Sequence, residues 1–174
     1  FARLVDSGRA MTDILSSGIL PSAMELMDNA CIRAVENYSP IGLPLEADAI
    51  IIIEVDGHEV AIEEEIKRCE QICLAQNAIT VKIAENESER ESIWQARKMV
   101  SPAITQMGPT KISEDATVPR SQIPNMIERL NEIRDKYQLN LVVFGHAGDG
   151  NLHPNIITDK RNKKEMKKVE AAVS

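Results

Sequence analysis

Strands buried on both faces need near-continuous apolar runs, and this chain has few of them. Only 48–55, around Ala49-Ile50-Ile51-Ile52-Ile53, and 139–144 come close. That scarcity argues against a continuous parallel sheet. The other strand-like segments are short or alternate, and they are interleaved with segments of helical period. Phe1 to Val5 reads as the tail of a strand, and Arg9 to Ile19 as a helix stopped by Pro21. Ala23 to Met27 alternates, 29–38 is helical, and 39–46 is a loop with two prolines and a glycine. Val60 to Gln76 is a helix with the stripe Ile62, Ile66, Cys69 and Cys73, and Ile79 to Ala84 reads as a strand. Asn86 caps the next helix, with Glu89 three residues on as in a capping box, and Pro102 should end or kink it after Ser101. Thr110 to Val118 reads as a strand. From Ser121 to Tyr137 the helical signal is the strongest in the chain, with Ile123, Met126, Ile127, Leu130, Ile133 and Tyr137 on one face. Leu139 to Phe144 and Leu152 to Ile157 are strands on either side of a glycine-rich turn, and Asp159 opens a final helix. Strand–helix–strand units with one-sided helices predict an α+β, ferredoxin-like fold: a mostly antiparallel sheet with helices packed on one face.

Composition excludes several classes. With 174 residues, 43% of them apolar, the chain can bury one core, and no run approaches the roughly 18 apolar residues of a membrane span. A net charge of −7 speaks against nucleic acid as a partner. The basic cluster Lys160, Arg161, Lys163, Lys164, Lys167 and Lys168 reads as the solvated face of the last helix, or else as a docking patch for an acidic partner. Cys69 and Cys73, four apart, have neither a zinc nor a redox spacing and read as core thiols of a reducing cytosol. The sequence opens on Phe1, and residues 1–174 read as a fragment cut at both ends.

The segment VVFGHAGDGNLHPNI, 142–156, holds Gly145, Gly148 and Gly150 between two strands. Its G-x-x-G-x-G order and strand–strand setting rule out a dinucleotide fingerprint. Two of the chain's three histidines, His146 and His153, flank this turn. If the strands pair as a hairpin, both imidazoles converge on one side, with Asp149 and Asn151 between them. Imidazoles suit zinc and similar ions, with a carboxylate as third ligand, although a hairpin with polar tips has the same spacing. Arg97 falls among Ile93, Val100 and Ile104 on an apolar helix face, so its guanidinium must snorkel, pair with an acid or meet an anionic ligand. Alternation places Lys111, Ser113 and Asp115 on one side of their strand, as a solvated face would have them. Core packing accounts for Trp94.

GHAGDGNLHP, 145–154, resembles the signature of the C-terminal domain of FAD-linked oxidases. AMELMD at 23–28, W-x-x-R from Trp94 to Arg97 and DATVP at 115–119 support the likeness, and DATVPRSQIP is most similar to the glycolate oxidase and D-lactate dehydrogenase branch. The resemblance implies an enzyme that oxidises a 2-hydroxyacid to the 2-oxoacid, with FAD held mainly by a separate N-terminal domain that this fragment lacks. It implies that His146 and His153 are catalytic and match two ligands of a divalent metal such as zinc. Arg97 then matches the arginine that grips the substrate carboxylate, and Asn151 lies near the flavin ring. Lys111 stands near a substrate-contacting lysine of the hydroxyglutarate enzymes, but its spacing to Pro119 differs. The family's third metal ligand and a further histidine come from an S-G-E-H-G-x-G segment that would follow Ser174, so the fragment alone is expected to be inactive. Other oxidase subunits are expected partners, in the cytoplasm or at the periphery of a membrane. Two further readings stay open: a free-standing ferredoxin-like ligand-binding or regulatory module, and a zinc hydrolase using His146 and His153, which no suitably spaced carboxylate supports.

Overall fold

The computed structural model describes residues 1–173. Six strands form one sheet: β1 (Ala23–Asp28), β2 (Ala49–Glu54), β3 (Thr110–Ser113), β4 (Ala116–Thr117), β5 (Leu141–His146) and β6 (Asn151–Thr158). Their order is β2-β1-β5-β6-β3, with β4 also on β6, and every pairing is antiparallel. The helices are α1 (Leu4–Ser16), α2 (Asn29–Tyr38), α3 (Glu59–Ala75), α4 (Glu87–Thr105), α5 (Ile123–Tyr137) and α6 (Lys163–Val173).

The α+β class and the antiparallel sheet are as the sequence suggests, but the helices are not confined to one face. Leu26, Leu141 and Val143 pack with Met11 and Ile14 of α1, Cys69 and Cys73 of α3, and Ile127 of α5. On the other face, Met27, Val142 and Phe144 pack with Val35 of α2 and with Val100 and Ile104 of α4. The cause lies in the strands. β5 is apolar at successive positions, so both of its faces need cover.

Local departures have identifiable reasons. Phe1 sits beside the start of β2, where its carbonyl accepts from Asp48, yet α1 already begins at Leu4 because Leu4, Met11 and Ile14 form one buried stripe. Residues 79–84 alternate as a strand would, but no strand pairs with them among the described residues, and Ile79 and Ile83 stay exposed. Pro102 does not end α4. It deletes one helical hydrogen bond, while burial of Val100, Ala103 and Ile104 carries the helix on to Thr105. Asn86 caps that helix as expected, accepting from Glu89 N–H at 3.0 Å, but the Glu89 carboxylate reaches the amide of Glu85.

Asp28 ends β1 and caps α2. Its carboxylate accepts from Cys31 N–H at 2.8 Å and from Val143 N–H at 2.7 Å, tying the helix start to β5. Burial pushes its pKa up to about 6, against those two donors. Between about pH 4 and pH 6 the folded chain therefore holds a proton that the unfolded chain has released, so this group's contribution to stability falls as pH rises. A shift of about two units corresponds to about 3 kcal/mol. Asp28→Asn is expected to lose this decline in urea unfolding compared at pH 4 and pH 6.5. Equal pH dependence in both proteins would show that Asp28 is not its source.

Candidate functional site

The register places polar residues in rows across the face of the sheet that α2 and α4 partly cover. Glu25 of β1 lies opposite His146 of β5, and His146 lies opposite Asn151 of β6. In the next row Phe144 faces His153, and in the row after that Val142 faces Asn155, which pairs with Ser113. Residues directly opposite in an antiparallel pair share a face, so these side chains gather on one side.

The turn that joins β5 to β6 sets this register. Gly145 (φ +156°) and Gly150 (φ +73°) adopt backbone that L side chains rarely enter. A Cβ on Gly145 would stand 2.6 Å from the Asn151 carbonyl oxygen, and one on Gly150 only 2.2 Å from that of Val118. What these glycines admit is other backbone: the start of β6 and the segment after β4. A short 3-10 turn at Ala147–Asp149 completes the connection.

The two imidazoles stand with ring centroids 5.4 Å apart and planes at 88°. His146 Nδ1 meets Glu25 Oε1 at 2.5 Å, and His153 Nδ1 meets Asp115 Oδ1 at 2.5 Å. Carboxylates only accept, so each Nδ1 donates, and in the neutral imidazole the lone pair then lies on Nε2. Two imidazoles on one tetrahedral ion would have centroids about 5 Å apart, given metal–nitrogen bonds of about 2.0–2.1 Å. Imidazoles oriented through Nδ1 by carboxylates are also the usual form of metal-binding histidine. The donor chemistry therefore fits half of a metal site. Among the described residues, however, no group of three histidine, cysteine or acidic side chains stands close enough to hold an ion.

Arg97 reaches the same cluster from α4. Its Nε donates to Glu25 Oε2 at 2.7 Å, and its guanidinium carbon lies 4.8 Å from the centroid of the Phe144 ring. The pair is well buried, with side-chain exposures of 15% for Arg97 and 8% for Glu25. Of the three options open to an arginine on an apolar face, pairing with an acid is realised, and removing one partner of such a buried pair costs about 3–5 kcal/mol. A second anchor fixes α4: Glu54 at the end of β2 accepts from Trp94 Nε1 at 2.7 Å and from Arg90 Nε and Nη2 at 3.1 and 3.0 Å. Trp94 thus has a polar role beyond packing.

Asn151 Oδ1 is buried without a hydrogen-bond partner among the described residues. Buried polar atoms rarely stay unpaired, so this acceptor still calls for a donor that the described residues do not supply. Lys111 lies apart. It is exposed on β3 opposite Ile157, four residues along β6 from His153, or about 13 Å at strand spacing. Asp115 stays on the Lys111–Ser113 face and meets His153 there, although the strand is interrupted at Glu114, whose N–H donates to the Pro154 carbonyl. A cavity of about 230 Å³ adjoins Glu25 and His146, bounded by Pro21, Ser22, Arg120 and Asp149. Glu25 was missed in the sequence, although one signal marked it: an acid in the middle of Met24-Glu25-Leu26-Met27, a strand buried from residue 24 onward.

The sequence matches the family described as "FAD linked oxidases, C-terminal domain" over residues 1–174. It is 42% identical over 166 residues to the glycolate oxidase subunit GlcD of Bacillus subtilis (strain 168), covering 95% of this chain and 35% of that protein. Against the glycolate oxidase subunit GlcD of Escherichia coli (strain K12) the identity is 36% over 170 residues, covering 98% and 34%. A mitochondrial D-lactate dehydrogenase (cytochrome) of Arabidopsis thaliana is 28% identical, covering 98% and 30%. The chain thus spans about a third of the length of these curated relatives. Among solved structures, alkyldihydroxyacetonephosphate synthase superposes with a TM-score of 0.66 at 12% identity, covering 99% of this chain and 38% of the other. The 4-ethylphenol oxidase of Gulosibacter chungangensis gives 0.60 at 13%, covering 97% and 39%. At that identity these two structures speak for the fold alone.

Proposed function

Because the chain belongs to the family of FAD-linked oxidase C-terminal domains, we propose that it forms the substrate-facing side of a flavin-dependent oxidoreductase converting a 2-hydroxyacid, of the glycolate or D-lactate type, to the 2-oxoacid. The observation that carries this reading is one guanidinium and two Nε2-presenting imidazoles gathered on a single sheet face. FAD, held mainly by a separate domain, supplies when bound the acceptor for the hydride that leaves the substrate's α-carbon.

The chain's own residues do the remaining work. With Nε engaged by Glu25, Arg97 offers its two terminal nitrogens as a fork for the substrate carboxylate. That contact aims the hydroxyl at the imidazoles. An imidazole Nε2 takes the hydroxyl proton while the α-hydrogen departs with its electron pair, so the carbon–oxygen double bond forms without leaving charge on the product. Alternatively, His146 and His153 would hold a divalent ion such as zinc, which polarises the hydroxyl there. Turnover after exhaustive chelation separates the two roles. Asn151, whose Oδ1 lacks a partner among the described residues, would stand near the flavin ring. The relatives' designation as subunits favours other oxidase subunits as partners, in the cytoplasm or at the periphery of a membrane; no helix among the described residues is long and apolar enough to cross one.

Arg97→Lys tests the reading in the flavin-loaded protein. An ammonium keeps the charge but loses the planar two-point contact. The loss of about 1.5–3 kcal/mol predicts a ten- to hundredfold fall in kcat/KM. Unchanged kinetics would reduce Arg97 to a partner of Glu25.

A further inference from the structure

We infer that Glu25 is a positioning residue whose single carboxylate fixes how both Arg97 and His146 face the substrate. The inference rests on the reading above, in which those two groups act on the substrate. Oε2 accepts from Arg97 Nε at 2.7 Å, and Oε1 meets His146 Nδ1 at 2.5 Å. The carboxylate itself is held still. It rises from the middle of β1, between Met24 and Leu26, with strands paired on both sides, and its side chain is 8% exposed. Packing does not call for an acid here, because the neighbouring strand positions are filled by methionine and leucine.

One acceptor pair has two consequences. Occupying Nε leaves the terminal nitrogens of Arg97 as the free edge of its fork. Accepting from Nδ1 fixes the His146 tautomer with its lone pair on Nε2, the edge that a hydroxyl proton or an ion would meet. Glutamine at position 25 would keep the first and invert the second. Its amide oxygen can accept from Arg97, but its NH2 must then donate to His146 Nδ1, which drives the imidazole proton to Nε2 and removes the lone pair there. The substitution changes chemistry at nearly constant shape, which separates positioning from packing.

The experiment uses the flavin-loaded protein with 15N-labelled histidine, in wild type, Glu25→Gln and Glu25→Asp. Wild type is expected to show His146 protonated on Nδ1. Glu25→Gln should remain folded, at a lower melting temperature because Arg97 loses its charged partner, and should show Nδ1 without its proton and a ten- to hundredfold lower kcat, the usual loss when the group orienting a functional histidine is removed. Glu25→Asp keeps both acceptor oxygens on a shorter arm, so it should restore the wild-type nitrogen signature and a kcat between the other two. An unchanged tautomer and kcat in Glu25→Gln overturn the inference. If Glu25→Gln does not fold, wild-type kcat and KM in Glu25→Asp overturn it instead. His146→Ala, measured alongside, keeps the two ideas apart. Full turnover in that variant sinks the proposed function, whereas lost turnover there with an unaffected Glu25→Gln sinks only the role of Glu25.

Discussion

Alanine at His146 or at His153 is expected to lower kcat of the flavin-loaded protein by about 10²–10⁴-fold, the range a positioned proton acceptor contributes. Bound flavin, read from its visible absorbance, should be unchanged. Both side chains lie at a solvent-accessible edge, His146 with 51% and His153 with 22% of its surface exposed, so the fold should tolerate their loss. Their rings meet edge to face with centroids 5.4 Å apart. If both variants turn over at the wild-type rate, the pair shapes the hairpin and takes no part in chemistry.

Gly150→Ala is expected to be strongly destabilising. Its φ of +73° costs an L residue about 1–2 kcal/mol. The added methyl would also lie 2.2 Å from the Val118 carbonyl, and overpacking against backbone adds about 1–3 kcal/mol. Relief would have to separate Gly150 from Val118, whose N–H donates to the Gly150 carbonyl at 3.0 Å. A loss of about 2–5 kcal/mol is expected in denaturant unfolding. Gly148→Ala is the control, because its Cβ would meet Met24 at an ordinary 3.5 Å. Equal stability of the two variants would contradict this account of the turn.

The elements that could be read from the sequence are those whose own residues decide them. Residues 29–38 of α2 and the long stripe of α5 carry their helical period internally, and the β5–β6 hairpin is marked by apolar runs around its glycines. Elements that depend on distant partners were not legible. Residues 79–84 have the alternation of a strand, but alternation does not supply a neighbour to pair with. Pro102 signals a stop locally, and the burial of Ala103 and Ile104 overrides it. At the site, the histidines, Arg97 and Asn151 stood out as polar residues in apolar or glycine-rich surroundings. Glu25 did not, and Asp115 stood out only as part of a solvated face, because a carboxylate that orients a histidine is defined by contacts 121 and 38 positions away. Lys111 stood out by alternation beside Ser113 and through the resemblance, and it lies on β3 opposite the far end of β6.

The sheet order also bears on how the chain reaches this state. β1 is flanked by β2 on one side and β5 on the other, so its second edge must wait for residues more than a hundred positions downstream. Loop closure over that span is entropically costly and slow, and sheets dominated by such pairings fold on the order of milliseconds to seconds. During synthesis at about 5–20 residues per second, β1 and β2 emerge seconds before β5. Over that interval the nascent β1–β2 pair presents an open edge on which Leu26 and Met27 are not yet covered, so this stretch is where transient chaperone contact and edge-to-edge association between unfinished chains are expected to concentrate.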